Sequence, residues 1–341
     1  MEQRYLGRTG VRVSPLCLGT MTFGARTDRA EAQRIVDRAL EAGINFIDTA
    51  NVYNAGESER VTGEAIHKTG LREHIVLASK CHGNMHKDQP LNPNRWGNSR
   101  RQIIRECEAS LKRLGTEWID LYQIHRPHPD CAIDETLRAL DQLVRQGKIL
   151  YAGCSTFAAW QVVESLWASD RLGLDRFVTE QPPYNLLDRR IERELLPMAQ
   201  TYGLGIMPWS PLAGGFLSGK YRRDQALPDE GRFTVRKRER GADPELLRQA
   251  QAYDVVEGVE TLAQEKGCTT SQLALAWCLH QPAVTSPIIG PRTTDQLADN
   301  LGALSVTITE ADQARLDALI RPGTHASPFY EARFGPHVHR W

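Results

Sequence analysis

Four side chains could together move a proton to or from a carbonyl group: the carboxyl of Asp48, the phenol of Tyr53, the amine of Lys80 and the imidazole of His125. A lysine cation beside a phenol stabilises the phenolate, so the phenol can release its proton nearer to working pH. A carboxylate next to the lysine fixes the ammonium and balances its charge. An imidazole across the pocket orients a carbonyl oxygen or relays protons. The set amounts to a proton donor aimed at a carbonyl, the half-reaction that complements hydride delivery. Each residue alone has an ordinary structural account, as a helix cap, an ion-pair partner or a satisfied core histidine. Their common feature is position: Asp48, Lys80 and His125 each end an apolar run, and Tyr53 follows the first of these closely.

The elements that must position these groups are legible in the rhythm of the chain. Short apolar, β-branched runs at 16–19, 44–48, 75–80, 119–125, 149–154, 177–181, 205–209 and 286–290 read as strands. Between them, apolar residues recur at three and four near 29–42, 57–69, 99–114, 133–145, 157–168 and 191–202. The stripe Ile103, Cys107, Ser110, Leu111 and Leu114 is one example. Alternating β and α with apolar strands implies a parallel sheet covered by helices, and eight units imply an α/β fold of the closed (β/α)8 TIM-barrel type. A doubly wound sheet would need a glycine-rich dinucleotide turn after its first strand. The segment Gly19-Thr20-Met21-Thr22-Phe23-Gly24 has neither that spacing nor a helix directly behind it. In a barrel the C-terminal strand ends form one face, which brings the four groups together from adjacent strands.

Three further segments frame that barrel, and 1–341 reads as one domain. Residues 4–14 form a β-hairpin around a Gly-Arg-Thr-Gly turn, placed to plug the N-terminal mouth. Between strands seven and eight lie a long Gly-rich, polar active-face loop (213–243) and extra helices near 244–266 and 270–280. The tail, 321–341, carries Phe329, Tyr330, Phe334 and Trp341 without clear periodicity.

Composition removes other function classes. The 42 Lys and Arg balance 42 Asp and Glu, so no net charge draws the protein to nucleic acid. No apolar run approaches the roughly 18–20 residues that cross a membrane. The start Met1-Glu2-Gln3-Arg4-Tyr5 lacks the basic and apolar stretches of a signal peptide. The cysteines at 17, 81, 107, 131, 154, 268 and 278 include no C-x-x-C pair and read as reduced thiols of a cytoplasmic protein. No H-E-x-x-H or comparable ligand cluster suggests a metal.

The motifs around the four groups resemble those of the aldo-keto reductases. Asp48-Thr49-Ala50-Asn51-Val52-Tyr53 is similar to the family's D-T-A-x-x-Y signature, and Gly56-Glu57-Ser58-Glu59 to its G-x-S-E helix start. Glu108-Ala109-Ser110-Leu111-Lys112-Arg113-Leu114, followed by Ile119-Asp120-Leu121-Tyr122-Gln123-Ile124-His125, resembles the next signature. Leu6-Gly7-Arg8-Thr9-Gly10 and Leu18-Gly19-Thr20-Met21 match as well. The resemblance runs from about residue 4 to 308 and is nearest to the bacterial and potassium-channel β-subunit branch.

The resemblance implies an NADP(H)-dependent reductase of aldehydes or ketones, sugar-like carbonyl compounds included, with NAD(H) as the second choice. Tyr53 would be the general acid, tuned by Lys80 and Asp48, with His125 orienting the carbonyl. Cofactor contacts would come from Met21 and Asp48, and from Ser155, Thr156 and Gln181 at the nicotinamide carboxamide. Thr156 stands where the family commonly has Asn. Trp209 would stack on the ring, and Ser210, Pro211, Leu212, Gly214 and Lys220 would hold the pyrophosphate. Gly290, Arg292, Gln296, Asp299 and Asn300 would take the adenosine end, with Arg292 at a helix start selecting a 2′-phosphate.

The expected partner is a small carbonyl substrate, with assembly into a homo-oligomer left open. Cys81 and Cys154 read as buried thiols, and His82 and His86 as loop residues. The basic stretch of Arg232, Arg236, Lys237, Arg238 and Arg240 reads as a solvated face, with a phosphate clamp as the sharper account. The alternative from another class is a nucleotide-binding regulatory subunit with little turnover, as in the channel β subunits. Those depart from the pattern at the histidine that is present here.

Overall fold

The hairpin closes one end of the barrel. β1 (Arg4–Tyr5) pairs antiparallel with β2 (Arg12–Val13), and Leu6 and Val13 pack with Cys17, Phe46, Ala78, Leu121, Val178 and Met207 in a cluster of their own. These side chains fill the lower barrel, so the hairpin is the plug its sequence predicts. The computed structural model describes residues 1–85, 92–223, 225–228, 234 and 250–326.

Eight parallel strands form the wall: β3 (Cys17–Gly19), β4 (Phe46–Asp48), β5 (Val76–Cys81), β6 (Ile119–Ile124), β7 (Ile149–Ser155), β8 (Phe177–Gln181), β9 (Gly205–Ile206) and β10 (Ile288–Ile289). The sheet order is β10-β3-β4-β5-β6-β7-β8-β9. The remaining seam is bridged by a parallel pairing of Ile206 with Val284 and by backbone bonds from Thr285 to Ile206 and Ile288 to Pro208, both 2.8 Å. The expected barrel is what the chain forms. Strands seven and eight are shorter than the apolar runs suggest, because Pro208 and Pro287 have no N–H to give to a ladder.

The helices follow as α1 (Arg29–Glu41), α2 (Glu57–Thr69), α3 (Arg100–Leu114), α4 (Ile133–Arg145), α5 (Ala159–Leu172), α6 (Leu195–Tyr202), α7 (Ala250–Glu265), α8 (Thr270–His280), α9 (Thr294–Gly302) and α10 (Glu310–Leu319). The predicted helix at 191–202 is instead a 3-10 turn, Arg190–Glu192, followed by α6. α10 had no counterpart among the expected helices, although Thr309 and Asp312 make a capping box at its start. Part of the long loop, His86, the basic stretch and the tail aromatics lie outside the described residues. Before the tail, His325 bridges to Asp188 and Ala326 N–H donates to Leu187 O, tying 325–326 to the loop after β8. Among the described residues no helix is long and apolar enough to cross a membrane.

Candidate active site

Strand alternation builds the floor of the site. Phe46, Ala78 and Leu121 point into the barrel, so Asp48, Lys80 and Gln123, two residues on, point the same way one layer higher. Lys80 is fully buried, and its ammonium donates to Asp48 Oδ1 at 2.5 Å, Thr49 O at 2.8 Å and the Tyr53 hydroxyl at 3.3 Å. All three donors of the ammonium are thereby assigned. The second carboxylate oxygen, Asp48 Oδ2, accepts from the amides of Gln123 and Gln181, each at 3.1 Å. Burial pulls the Lys80 pKa down, but Asp48 and Tyr53 outweigh it and leave the value above that of an ordinary lysine.

Tyr53 is delivered by a strained turn. The 3-10 segment Tyr53–Gly56 holds Asn54 and Ala55 at φ 51° and 54°, a left-handed conformation that costs non-glycine residues energy. The Asn54 amide offsets this by donating to Met21 O at 3.0 Å and Phe23 O at 2.8 Å, which locks the turn to the loop after β3. The next residues anchor α2. Ser58 donates to Thr20 O at 2.7 Å, while Glu59 accepts from Ser79 Oγ and Arg113 Nε, both at 2.5 Å. The G-x-S-E segment therefore ties α2 to β5 and α3, and so fixes the phenol over Lys80.

His125 completes the set from the end of β6. Its ring meets that of Tyr53 edge-on, with centroids 5.7 Å apart and an interplanar angle of 84°. Burial, then Arg126 and Lys80, hold its pKa well below the ordinary histidine value. That direction leaves the imidazole neutral at physiological pH, with one ring nitrogen able to donate a hydrogen bond and the other to accept one. The structure thus brings Asp48, Tyr53, Lys80 and His125 into one cluster.

The flanking strands carry a cradle beside the cluster. Ser155 Oγ donates to Gln181 O at 2.9 Å, and Thr156, at φ 62°, donates its N–H to the same carbonyl at 3.2 Å. The Thr156 hydroxyl accepts from Arg126 Nη1 at 2.9 Å. Glu180, fully buried on the outer side of β8, accepts the Phe157 N–H at 3.1 Å and supports this turn from behind. Burial pushes its pKa up to about 7. Gln123, Arg126 and Glu180 were not singled out from the sequence. Parity along β6 would have found Gln123, because 121, 123 and 125 share a face.

The remaining cofactor candidates lie around the same face. Trp209 is half-buried three residues past the end of β9, where it bridges to Pro183. Ser210, Ala213, Gly214 and Gly215 follow with φ of 54°, 49°, 67° and 97°, and the turn is closed by the N–H groups of Ala213 and Gly215, which donate to Ser210 O at 2.8 Å and Leu212 O at 2.7 Å. Lys220 is exposed beside this run: a Cβ built on Gly215 would lie 2.6 Å from its Nζ. Pro211 and Leu212 shape the turn between them. Gly290 is exposed, with nothing within 4 Å of a built Cβ, and Arg292 is half-buried next to it.

The start of α9 is less available to an anion than its sequence suggests. Arg292 N–H donates to Gln296 Oε1 at 2.8 Å, Thr294 N–H to Glu31 Oε1 at 2.7 Å, and Gln296 N–H to Thr293 Oγ1 at 3.3 Å. A phosphate there would depend on the Arg292 side chain. Asp299 Oδ1 accepts from Thr269 Oγ1 at 2.9 Å and Gln272 Nε2 at 3.1 Å at the start of α8. Asn300 is buried beside it. A dinucleotide nevertheless fits the groups met in chain order around the rim: the polar cradle at the ends of β7 and β8, the half-buried indole of Trp209 after β9, the glycine-containing turn with Lys220 beyond it, and Arg292 after β10.

The chain matches the model of the aldo/keto reductase family over residues 15–321. It is 42% identical over 319 residues to an uncharacterised oxidoreductase, YrpG, of Bacillus subtilis, covering 90% of this chain and 92% of that one. It is 37% identical over 309 residues to a probable voltage-gated potassium channel subunit beta of Arabidopsis thaliana, again covering 90% and 92%. A rice protein of the same description is equally similar.

Proposed function

Because this chain belongs to the aldo/keto reductase family, we propose that it is an NADP(H)-dependent oxidoreductase that converts an aldehyde or ketone to the alcohol. The observation that carries this reading is the buried ammonium of Lys80, which bonds Asp48 and Tyr53 together beneath a neutral His125. NADP(H), when bound, supplies the hydride. Ser155, Thr156 and Gln181 would hold its carboxamide and Trp209 would stack on its ring. Lys220 and the turn from Ser210 to Gly214 would take the pyrophosphate, and Arg292 the adenosine end.

The chain's own groups do the rest. A substrate carbonyl oxygen sits against the Tyr53 hydroxyl, and the neutral imidazole of His125 fixes its direction without competing as an acid. Tyr53 gives up its proton as negative charge develops on that oxygen, a contribution of about 10²–10⁴ in rate for a positioned general acid. Lys80 stabilises the phenolate that remains, and Asp48, held by Gln123 and Gln181, keeps the ammonium in place. A regulatory subunit without turnover is a weaker reading, since such a role has no use for an intact proton-transfer set that includes His125. The test is quenching of tryptophan emission by NADPH and by NADH. Micromolar binding of NADPH with weaker NADH is expected, and binding of neither would remove the proposal.

A further inference from the structure

One carboxylate and two amides meet inside the barrel from alternate strands, Asp48 on β4, Gln123 on β6 and Gln181 on β8, and all are buried. Asp48 Oδ2 is a carboxylate oxygen and can only accept, so both glutamines must turn their nitrogens towards it. Each does so at 3.1 Å. The oxygen of the Gln123 amide then accepts the other N–H of Gln181 at 3.2 Å. Gln123 can reach across to β8 because Gly153 stands on the intervening strand, β7. A Cβ at that position would lie 2.3 Å from Thr179 Oγ1 and 3.1 Å from Gln123 Cγ. Both N–H groups of Gln181 are thus spent within the floor, and no donor among the described residues reaches its Oε1. Beside it, the Ser155 hydroxyl spends its proton on Gln181 O at 2.9 Å and is left with lone pairs to offer. A buried acceptor without a donor is costly, so this corner of the cradle suits a ligand group that carries N–H.

We propose that Gln123 is a positioning residue for the cofactor: it fixes the polarity of the Gln181 amide, so that the site takes a pyridine ring bearing a primary amide and rejects one without that N–H. This deepens the reading of the cradle as a nicotinamide site and rests on it. Gln123 acts through Gln181 and Asp48 rather than on the ring itself. With an apolar side chain at 123, one N–H of Gln181 loses its acceptor and becomes available to a ligand oxygen. The Gln181 amide then no longer distinguishes a donor from an acceptor. Because Gln123 also donates to Asp48 Oδ2, it ties the cofactor end of the site to the carboxylate that holds Lys80.

The experiment measures binding to the full chain by calorimetry for three nucleotides. They are NADP⁺, its 3-acetylpyridine analogue, in which a methyl group replaces the amide nitrogen, and its thionicotinamide analogue, which keeps the NH2 group. All share the adenosine and phosphate groups, so ratios of affinity report on the ring substituent alone. The wild type should bind NADP⁺ about 10-fold or more tightly than the acetyl analogue, the range expected when a buried acceptor loses its donor. The thioamide should lie closer to NADP⁺. Gln123→Leu should bring the ratio of NADP⁺ to acetyl analogue down to about threefold or less, since either end of the Gln181 amide can then face the ligand. Gln123→Glu should keep the wild-type ratio. Burial beside Asp48 holds the introduced carboxyl protonated, so its O–H donates to Asp48 Oδ2 and its other oxygen accepts from Gln181. Gln123→Met carries the same test if Gln123→Leu does not fold. An unchanged ratio in Gln123→Leu, equal weakening of all three nucleotides included, is the signature of a merely structural role and would overturn the proposal. A ratio that falls as far in Gln123→Glu as in Gln123→Leu would overturn it too. Equal binding of NADP⁺ and the acetyl analogue by the wild type would refute this proposal alone. Binding of none of the three would refute the cofactor reading and this proposal with it.

Discussion

Replacing Asp48 with Asn removes one charge and almost no volume, and it leaves a buried lysine without its counter-ion. Lys80 is fully buried with its ammonium 2.5 Å from Asp48 Oδ1. At that separation and an effective dielectric near 20, the gross attraction is roughly 7 kcal/mol, before desolvation is counted. In the native protein burial is the largest single influence on Lys80, but Asp48 and Tyr53 together outweigh it, so Lys80 holds its proton more tightly than a free lysine. Without the carboxylate, burial is left largely unopposed and the ammonium becomes the weaker form. Breaking one side of a buried pair costs about 3–5 kcal/mol. Gln123 and Gln181, which both donate to Asp48 Oδ2, would also meet an amide with a single acceptor oxygen.

The cost of Asp48→Asn should depend on pH with a definite sign. At neutral pH the unfolded variant keeps the Lys80 proton while the folded variant tends to release it, so unfolding is favoured. Near pH 10 the unfolded chain loses that proton too, and this part of the penalty fades. Urea midpoints should therefore show a larger deficit at pH 7 than at about pH 9.5. Turnover should drop about 100-fold or more, since a neutral amine cannot stabilise the phenolate of Tyr53. A variant as stable as the wild type at pH 7, or a deficit that does not change with pH, would refute the buried-pair reasoning.

Two further outcomes rest on single residues. Glu180 has its pKa raised from 4.5 to about 7, so the folded state holds a proton that the unfolded chain has released, and stability declines as pH rises through that window. Glu180→Gln should stabilise the protein by at most about 3 kcal/mol above pH 7 and by little near pH 4.5, as read from chemical denaturation; a gain independent of pH would contradict this. Arg292→Ala should weaken NADPH binding more than NADH binding in fluorescence titrations, because the Thr294 and Gln296 amides at the start of α9 are already engaged; equal losses would remove the 2′-phosphate argument.

The candidate cluster was legible in the sequence because barrel geometry converts strand ends into neighbours. Asp48, Lys80 and His125 were recognisable as the polar ends of apolar runs, and Tyr53 through the segment between Asp48 and Gly56. Residues whose work depends on a bend were not legible. Arg126 lies at the outward parity of β6 and reaches the site only because the chain turns past the strand end. Glu180 also faces outward on β8, and its partner is a backbone N–H that no side-chain pattern reveals. The start of α9 misled in the opposite direction. Its local sequence reads as a free helix terminus, but Glu31, 263 residues away in the chain, supplies one acceptor. The ends of strands seven and eight were overestimated because apolar character continues through Pro208 and Pro287 while ladder hydrogen bonding does not.

The most direct test of the account is single-turnover reduction of an aldehyde by the NADPH-loaded protein, comparing wild type with Tyr53→Phe. The ring, and with it the packing against His125, is retained, and only the hydroxyl bonded to Lys80 is lost. The account predicts a rate lower by about 10²–10⁴-fold with NADPH affinity essentially unchanged. A rate within twofold of wild type would contradict it and remove Tyr53 as the proton donor.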